Sequence, residues 1–204
     1  MRNQWKAVVL LAVVGSGRLC AAETMRVDVY VSDSDGSAEL LRTGKIVASG
    51  IFEKIGVHVN WRTGKLPGQA TPQKAFGVLT LEHAPESAAA GALASARIVG
   101  SSGTEIMIYK DRVLNFLSNH SNLARVGVGY ILAHELAHVM QGVGRHSASG
   151  ILKAQWRHGD FEEMMFHKLA FTDFDVDLIH RGLALQLANV AAAAAPEPSK
   201  LAEK

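Results

Sequence analysis

The sequence predicts a single α+β domain of about five strands, a long buried helix and a C-terminal helix. Three observations predict it. Apolar residues alternate with polar ones in short runs at 25–31, 57–61, 76–81 and 104–109, the period of half-buried strands. Elsewhere the apolar spacing widens to three and four, at 38–55, 111–117 and 172–187, the period of amphipathic helices. The run at 123–141 is apolar nearly all round through Val126, Ile131, Leu132, Leu136 and Val139, which marks a helix buried in mid-domain. With 204 residues, 48% apolar and 20% charged, the chain is long enough for one full core.

The first 22 residues read as a secretory signal peptide cleaved near Ala22. Arg2 and Lys6 supply a positive start, 7–14 a short apolar run, and 16–22 a small-residue end. The run is too short for a membrane span of ~20 residues. A lipoprotein reading is weaker, because Arg18 and Leu19 precede Cys20 where small residues are expected. Cleavage removes Cys20, the only cysteine, and with it Arg2, Lys6 and Arg18. The 21 basic residues fall to 18 against 19 acidic ones, so the mature net charge is near zero. That balance gives no support to a nucleic-acid partner or to an anionic membrane surface.

The elements follow in order within a domain expected at 23–190. A first strand at 25–31 leads to a turn at Asp33, Asp35, Gly36 and Ser37, then to a helix that Gly56 stops. A strand at 57–61 precedes a loop containing Gly64, Pro67, Gly68 and Pro72, and a third strand follows at 76–81. The Ala/Gly/Ser-rich 87–95 reads as a loop into a fourth strand near 96–99. A turn at 100–103 then gives the fifth strand. Helices are expected at 111–117, 123–141 and, shorter, 160–166. The last begins at Thr172, which can cap it with Asp175 at the third position, while Phe171 can staple onto Val176. Residues 191–204, an alanine run followed by Pro196 and Pro198, read as a disordered tail.

The buried helix carries His134-Glu135-Leu136-Ala137-His138. Positions i and i+4 lie one above the other on a helix face, so the two imidazoles can close on one Zn2+ without backbone strain. Glu135 lies about 100° around from His134, beside such a metal and free to act on a water. This is the H-E-x-x-H arrangement of zinc peptidases. A catalytic zinc site has three protein ligands and an open position, and without Cys20 the third must be His, Asp or Glu. His146 is the nearest candidate, with Gly142 and Gly144 able to turn the chain back. Asp160, Glu162 and Glu163 are the distant alternatives. Two buried imidazoles without a ligand or partner would be costly. His58, His83, His120, His158, His167 and His180 read as surface or core residues, and Trp61 and Trp156 as core or cleft packing.

The element order, together with the string HELAHVMQGVGRH, resembles the metzincin zinc peptidases over nearly the whole mature chain. Metzincins carry H-E-x-x-H-x-x-G-x-x-H and then a turn with a methionine beneath the metal. Here the spacer is two residues longer and Gly142 falls one place late. This HExxHxxxGxxxH form, continued through 146–156, resembles uncharacterised secreted bacterial proteins predicted to be metzincin-like, in which the position of Leu152 is usually methionine. Phe171-Thr172-x-x-Asp175-Val176 is similar to the start of the last matrixin helix. The resemblance implies a twisted mixed sheet packed on the HExxH helix. It also implies His134, His138 and His146 as ligands of one catalytic Zn2+, with Glu135 as general base.

The expected protein is therefore an exported zinc endopeptidase, periplasmic or extracellular, that acts on a peptide or protein substrate and has no stable membrane insertion after cleavage. Zinc lowers the pKa of bound water towards ~7, Glu135 takes its proton, and the metal polarises the scissile carbonyl. Glu135 can then pass the proton to the leaving amine. Tyr109, Tyr130 and Arg145 are candidates for oxyanion support, each read more simply as structural. The strand near 96–99, or that at 104–109, would offer its edge to an extended substrate. The alternative is a metzincin-like domain that holds zinc for structure, or binds peptides, without turnover.

Overall fold

The computed structural model describes residues 25–32, 38–67, 74–99 and 103–194. Its strands are β1 (Met25–Ser32), β2 (Val57–Thr63), β3 (Lys74–Leu81), β4 (Ala94–Val99) and β5 (Gly103–Tyr109). Its helices are α1 (Ala38–Glu53), α2 (Lys110–Asn119), α3 (Gly127–Gln141), α4 (His158–Met165) and α5 (Asp173–Ala194). The leader at 1–22, the turns expected at 33–37 and 100–102, Gly68, Pro72 and the tail beyond 194 lie outside the described residues. No helix among the described residues is long and apolar enough to cross a membrane.

The sheet is mixed, in the order β2-β1-β3-β5-β4. β1 pairs in parallel with both β2 and β3, β3 pairs in parallel with β5, and β4 alone runs antiparallel, against β5. Alternation along each strand sends one set of side chains to the core face. Val31, Val78 and Ile106 sit on one rung across β1, β3 and β5, and Val29 and Phe76 on the next. All five are at most 3% exposed. β5 lies inside the sheet, so it has no free edge; of the two strands considered for substrate pairing, only β4 has one.

α1 and α3 cross on glycines. A Cβ on Gly129 would stand 2.4 Å from the Val47 side chain and 3.0 Å from the Gly44 carbonyl oxygen. α5 meets the end of α3 more closely still, since a Cβ on Gly182 would fall 2.2 Å from the Met140 carbonyl oxygen. Gln186 Nε2 donates to the carbonyls of Val139 and Met140 at 3.1 and 2.9 Å, which ties α5 to the last turn of α3. α3 is thus fixed from two sides, and 12 of its 15 residues are buried.

Several boundaries differ from the sequence expectation. α3 begins at Gly127 instead of 123, after a 3-10 turn at Ser121–Leu123. The 3-10 turn takes the place of the first expected helical turn, no side chain caps the start, and Leu117 of α2 packs 2.7 Å from where a Gly127 Cβ would stand. β4 starts at Ala94, two residues early, because its pairing with Ile108 supplies what its small side chains do not signal. α4 starts at His158, where Asp160 Oδ2 accepts from the Arg157 backbone N–H at 2.6 Å. α5 runs to Ala194, so 191–194 are helical and not part of a disordered tail. Alanine is the best helix former, and the run simply extends the helix.

Because the Gly182 crossing leaves no space for a methyl group, Gly182→Ala should destabilise the protein by about 1–3 kcal/mol. Chemical denaturation checks this, and an unchanged midpoint would refute the close crossing.

Candidate metal centre

The first two imidazoles stand on successive turns of α3. His134 Nε2 and His138 Nε2 lie 3.1 Å apart, aimed at a common point, with ring centroids 4.7 Å apart. At the end of α3 the chain must leave the helix and return. Gly142 does this in the left-handed region, at φ 70°, while its N–H caps the carbonyls of His138 and Val139. His146 then comes back over the same turns, its ring 5.4 Å from His134 and 4.9 Å from His138. One ligand atom from each of the three lies within 4.8 Å of the others. Three imidazole nitrogens converging in this way fit a Zn2+ ion, which takes neutral histidine readily and needs no thiolate.

The segment that follows His146 also orients His134. The Ile151 carbonyl accepts from His134 Nδ1 at 2.8 Å, which holds the proton on Nδ1 and leaves the Nε2 lone pair free. The same oxygen accepts from Trp156 Nε1 at 3.1 Å, and the indole stands edge-on to the His134 ring at 5.5 Å. Gly150 at φ 75° allows the bend, and a Cβ there would lie 2.4 Å from the Ala170 carbonyl oxygen. Ile151 N–H donates to that oxygen at 3.0 Å, and Ser147 N–H to Leu152 O at 2.8 Å. Ile151 and Leu152 themselves are fully buried, the leucine filling the position where the resemblance expects methionine.

A buried carboxylate completes the fastening. Asp175, with no solvent exposure, sits in the first turn of α5. Its Oδ2 accepts from Thr172 Oγ1 at 2.7 Å and Thr172 N–H at 3.2 Å, while Asp175 N–H donates back to Thr172 Oγ1. This is the expected capping box. Its Oδ1 accepts from Arg145 Nη1 at 2.9 Å and from Ser147 Oγ, the two residues that flank His146. Burial pushes the Asp175 carboxyl up, but the hydrogen bonds from Ser147, Thr172 and Arg145 outweigh it and hold the group below the ordinary carboxylate range.

Burial also sets the titration of the α3 groups. It lowers His134 to about 4, despite the opposing Ile151 hydrogen bond, and it lowers His138 as well. Both rings are therefore neutral at pH 7, the state that binds a metal. His138 Nδ1 is buried without a well-formed hydrogen bond, although the Val143 backbone lies close enough to favour its protonation. Glu135, partly buried beside the imidazoles, is raised by burial to about 7. A cation at the histidines would draw that value down again.

The three histidines and Glu135 open on a cleft of about 730 Å3. It is lined also by Ala90, Gly91, Ala92 and Leu93, by Ala94 and Ala96 of β4, and by Phe116 and Trp156. Trp156 thus lines the cleft, whereas Trp61 is remote, donating to Ser49 Oγ at 2.8 Å. Asp160, Glu162 and Glu163 do not join the imidazoles. Asp160 pairs with Lys153, Glu162 lies 3.3 Å from His158, and all three line a separate hollow with Arg157 and Lys168. The oxyanion candidates are engaged elsewhere: Tyr109 Oη with Ser95 Oγ at 2.6 Å, Tyr130 Oη with Leu169 O, and Arg145 with Asp175. Of the other histidines, His180 reaches the Ile55 carbonyl, His58 pairs with Glu53, and His120 stacks on Phe116 and Phe161.

Sequence reasoning missed the Ile151 carbonyl, Lys153 and Gln155 in the cleft, and the link from Asp175 to Arg145 and Ser147. The cap signal at Thr172-x-x-Asp175 pointed to the aspartate but to only one of its two oxygens. No protein-family profile matches the chain, and no curated protein sequence does. Among solved structures, archaemetzincin from Methanopyrus kandleri aligns with it at a TM-score of 0.47 and 18% identity, over 81% of this chain and 99% of that one.

Two predictions follow from this geometry. His146→Ala should reduce zinc in the purified protein well below one equivalent by elemental analysis, whereas Asp160→Asn should leave it unchanged. For Asp175, a lowered folded pKa means stability that is full above the ordinary carboxylate value of ~4 and lost as pH falls through the folded value. The stability gap between wild type and Asp175→Asn, measured on chelator-treated protein, should therefore be widest near neutral pH and narrow towards pH 2.

Proposed function

We propose that the protein is a zinc-dependent endopeptidase, exported by its N-terminal leader to the periplasm or beyond, that hydrolyses peptide bonds in an extended substrate. The observation that carries the proposal is the convergence of three imidazoles within 4.8 Å, with Glu135 beside them on one wall of an open cleft. When bound at His134, His138 and His146, zinc supplies a Lewis acid that acidifies water and polarises a carbonyl.

The chain's own residues do the rest. Glu135 has room in the cleft, and no side-chain hydrogen bond in the protein is found for its carboxylate among the described residues. It can take a proton from water and return it to the departing amine. β4 is an edge strand whose small residues Ala94 and Ala96 line the cleft, so a substrate backbone can approach it and hydrogen-bond to the strand. Phe116, Ile131, Leu93 and Trp156 give the cleft an apolar lining that favours bulky apolar side chains.

A second reading, a zinc-holding module without turnover, is favoured by one observation: Tyr109, Tyr130 and Arg145 all have partners that keep them from serving as oxyanion donors. The two readings separate in one experiment. Glu135→Gln should keep one zinc per chain and lose at least 100-fold in cleavage of an unfolded protein substrate, within the range of general-base contributions. Wild-type protein that binds zinc but neither cleaves nor takes up a hydroxamate at the metal would establish the second reading.

A further inference from the structure

The loop between α3 and α4 is joined to the start of α5 by a carboxylate that serves no surface role. Asp175 is fully buried, yet only one of its oxygens is used by the Thr172 cap. A helix cap needs no more than that. The other oxygen takes Arg145 Nη1 and Ser147 Oγ, which lie on either side of His146 in sequence. Arg145 Nη1 also reaches Ser147 Oγ at 3.2 Å, which closes the clamp, and its guanidinium lies over the Phe174 ring at 4.9 Å.

We infer that Asp175 is a positioning residue for the third metal ligand, so that metal affinity depends on the start of α5. His146 is the exposed member of the histidine cluster and sits on a loop, whereas His134 and His138 are fixed by α3. No hydrogen bond to the His146 ring is found among the described residues, so its place is set through its two backbone neighbours. Outer residues that orient metal ligands typically change affinity 10–100-fold when replaced. The inference rests on the zinc reading of the cluster and is independent of whether the protein cleaves peptides.

The test is zinc affinity of the full chain, by competition with a chromophoric chelator, together with the visible spectrum of the Co2+-loaded protein. Asp175→Asn keeps the shape of the side chain but removes its charge and one acceptor. It should weaken zinc 10–100-fold and change the Co2+ spectrum, which reports the ligand set and not global stability. Thr172→Ala is the control, because it cuts the cap on the other oxygen and costs about 1 kcal/mol of stability while sparing the clamp. It should leave affinity and spectrum near wild type. Wild-type affinity and spectrum in a folded Asp175→Asn would overturn the inference, as would an equal loss in Thr172→Ala. If Asp175→Asn does not fold, Ser147→Ala and Arg145→Gln each cut one bond on the loop side and decide it by the same two readouts.

Discussion

Ile151 offers one backbone oxygen to two side chains, His134 Nδ1 and Trp156 Nε1, and the rest of the site depends on that oxygen staying where it is. A carbonyl has two lone pairs and can accept both. The His134 ring is thereby fixed in tautomer and in tilt, and the indole that lines the cleft is fixed with it. The carbonyl is held in turn by the Ile151 N–H on Ala170 O and by a glycine bend that tolerates no Cβ. Both ends of this arrangement are backbone, so it is set by the course of the chain and not by any one side chain.

The sheet contributes by what it leaves open. Four strands are parallel and lean on α1 and α3, and the fifth, β4, is added antiparallel at the side where the histidines emerge. An unpaired edge is ordinarily a liability. Here it is short, lined by small residues towards the cleft, and its Arg97 is tied across the ladder to Glu105 at 2.7 Å. Arg112 steadies the segment leading into it, with Nη1 donating to the carbonyls of Ala89 and Ala92 at 2.7 and 2.9 Å. The wall of the cleft is therefore a braced strand and loop.

Much of this was legible in the sequence, for physical reasons. Alternating valines in β1 and the all-round apolar pattern of α3 are local records of burial, and His134 and His138 are joined by helix periodicity alone. His146 could be singled out because Gly142 announces a left-handed turn. What the sequence hid is non-local or belongs to the backbone. Asp175 lies 30 and 28 residues from Arg145 and Ser147, and nothing in a local pattern records that pairing. The Ile151 carbonyl leaves no mark at all. The start of β4 was hidden because Ala94 and Ser95 have little strand propensity and are held by their partners in β5. The start of α3 was hidden because no side chain caps it, so the sequence carries no local mark of where the helix begins.

The fastening of the His146 loop to α5 has a consequence for the order in which the molecule matures. In an unfolded chain His146 has no fixed place, because residues 170–175 hold its loop only once α5 has packed onto it. Until those residues pack onto it, the third imidazole is held less closely to the two that α3 fixes. Zinc bound at the assembled site would then act as a lock on the finished fold, adding its binding free energy to native stability. If the site holds zinc as proposed, completing it with the final helix ties metal binding to the finished fold, and an unfolded chain would hold the ion only weakly.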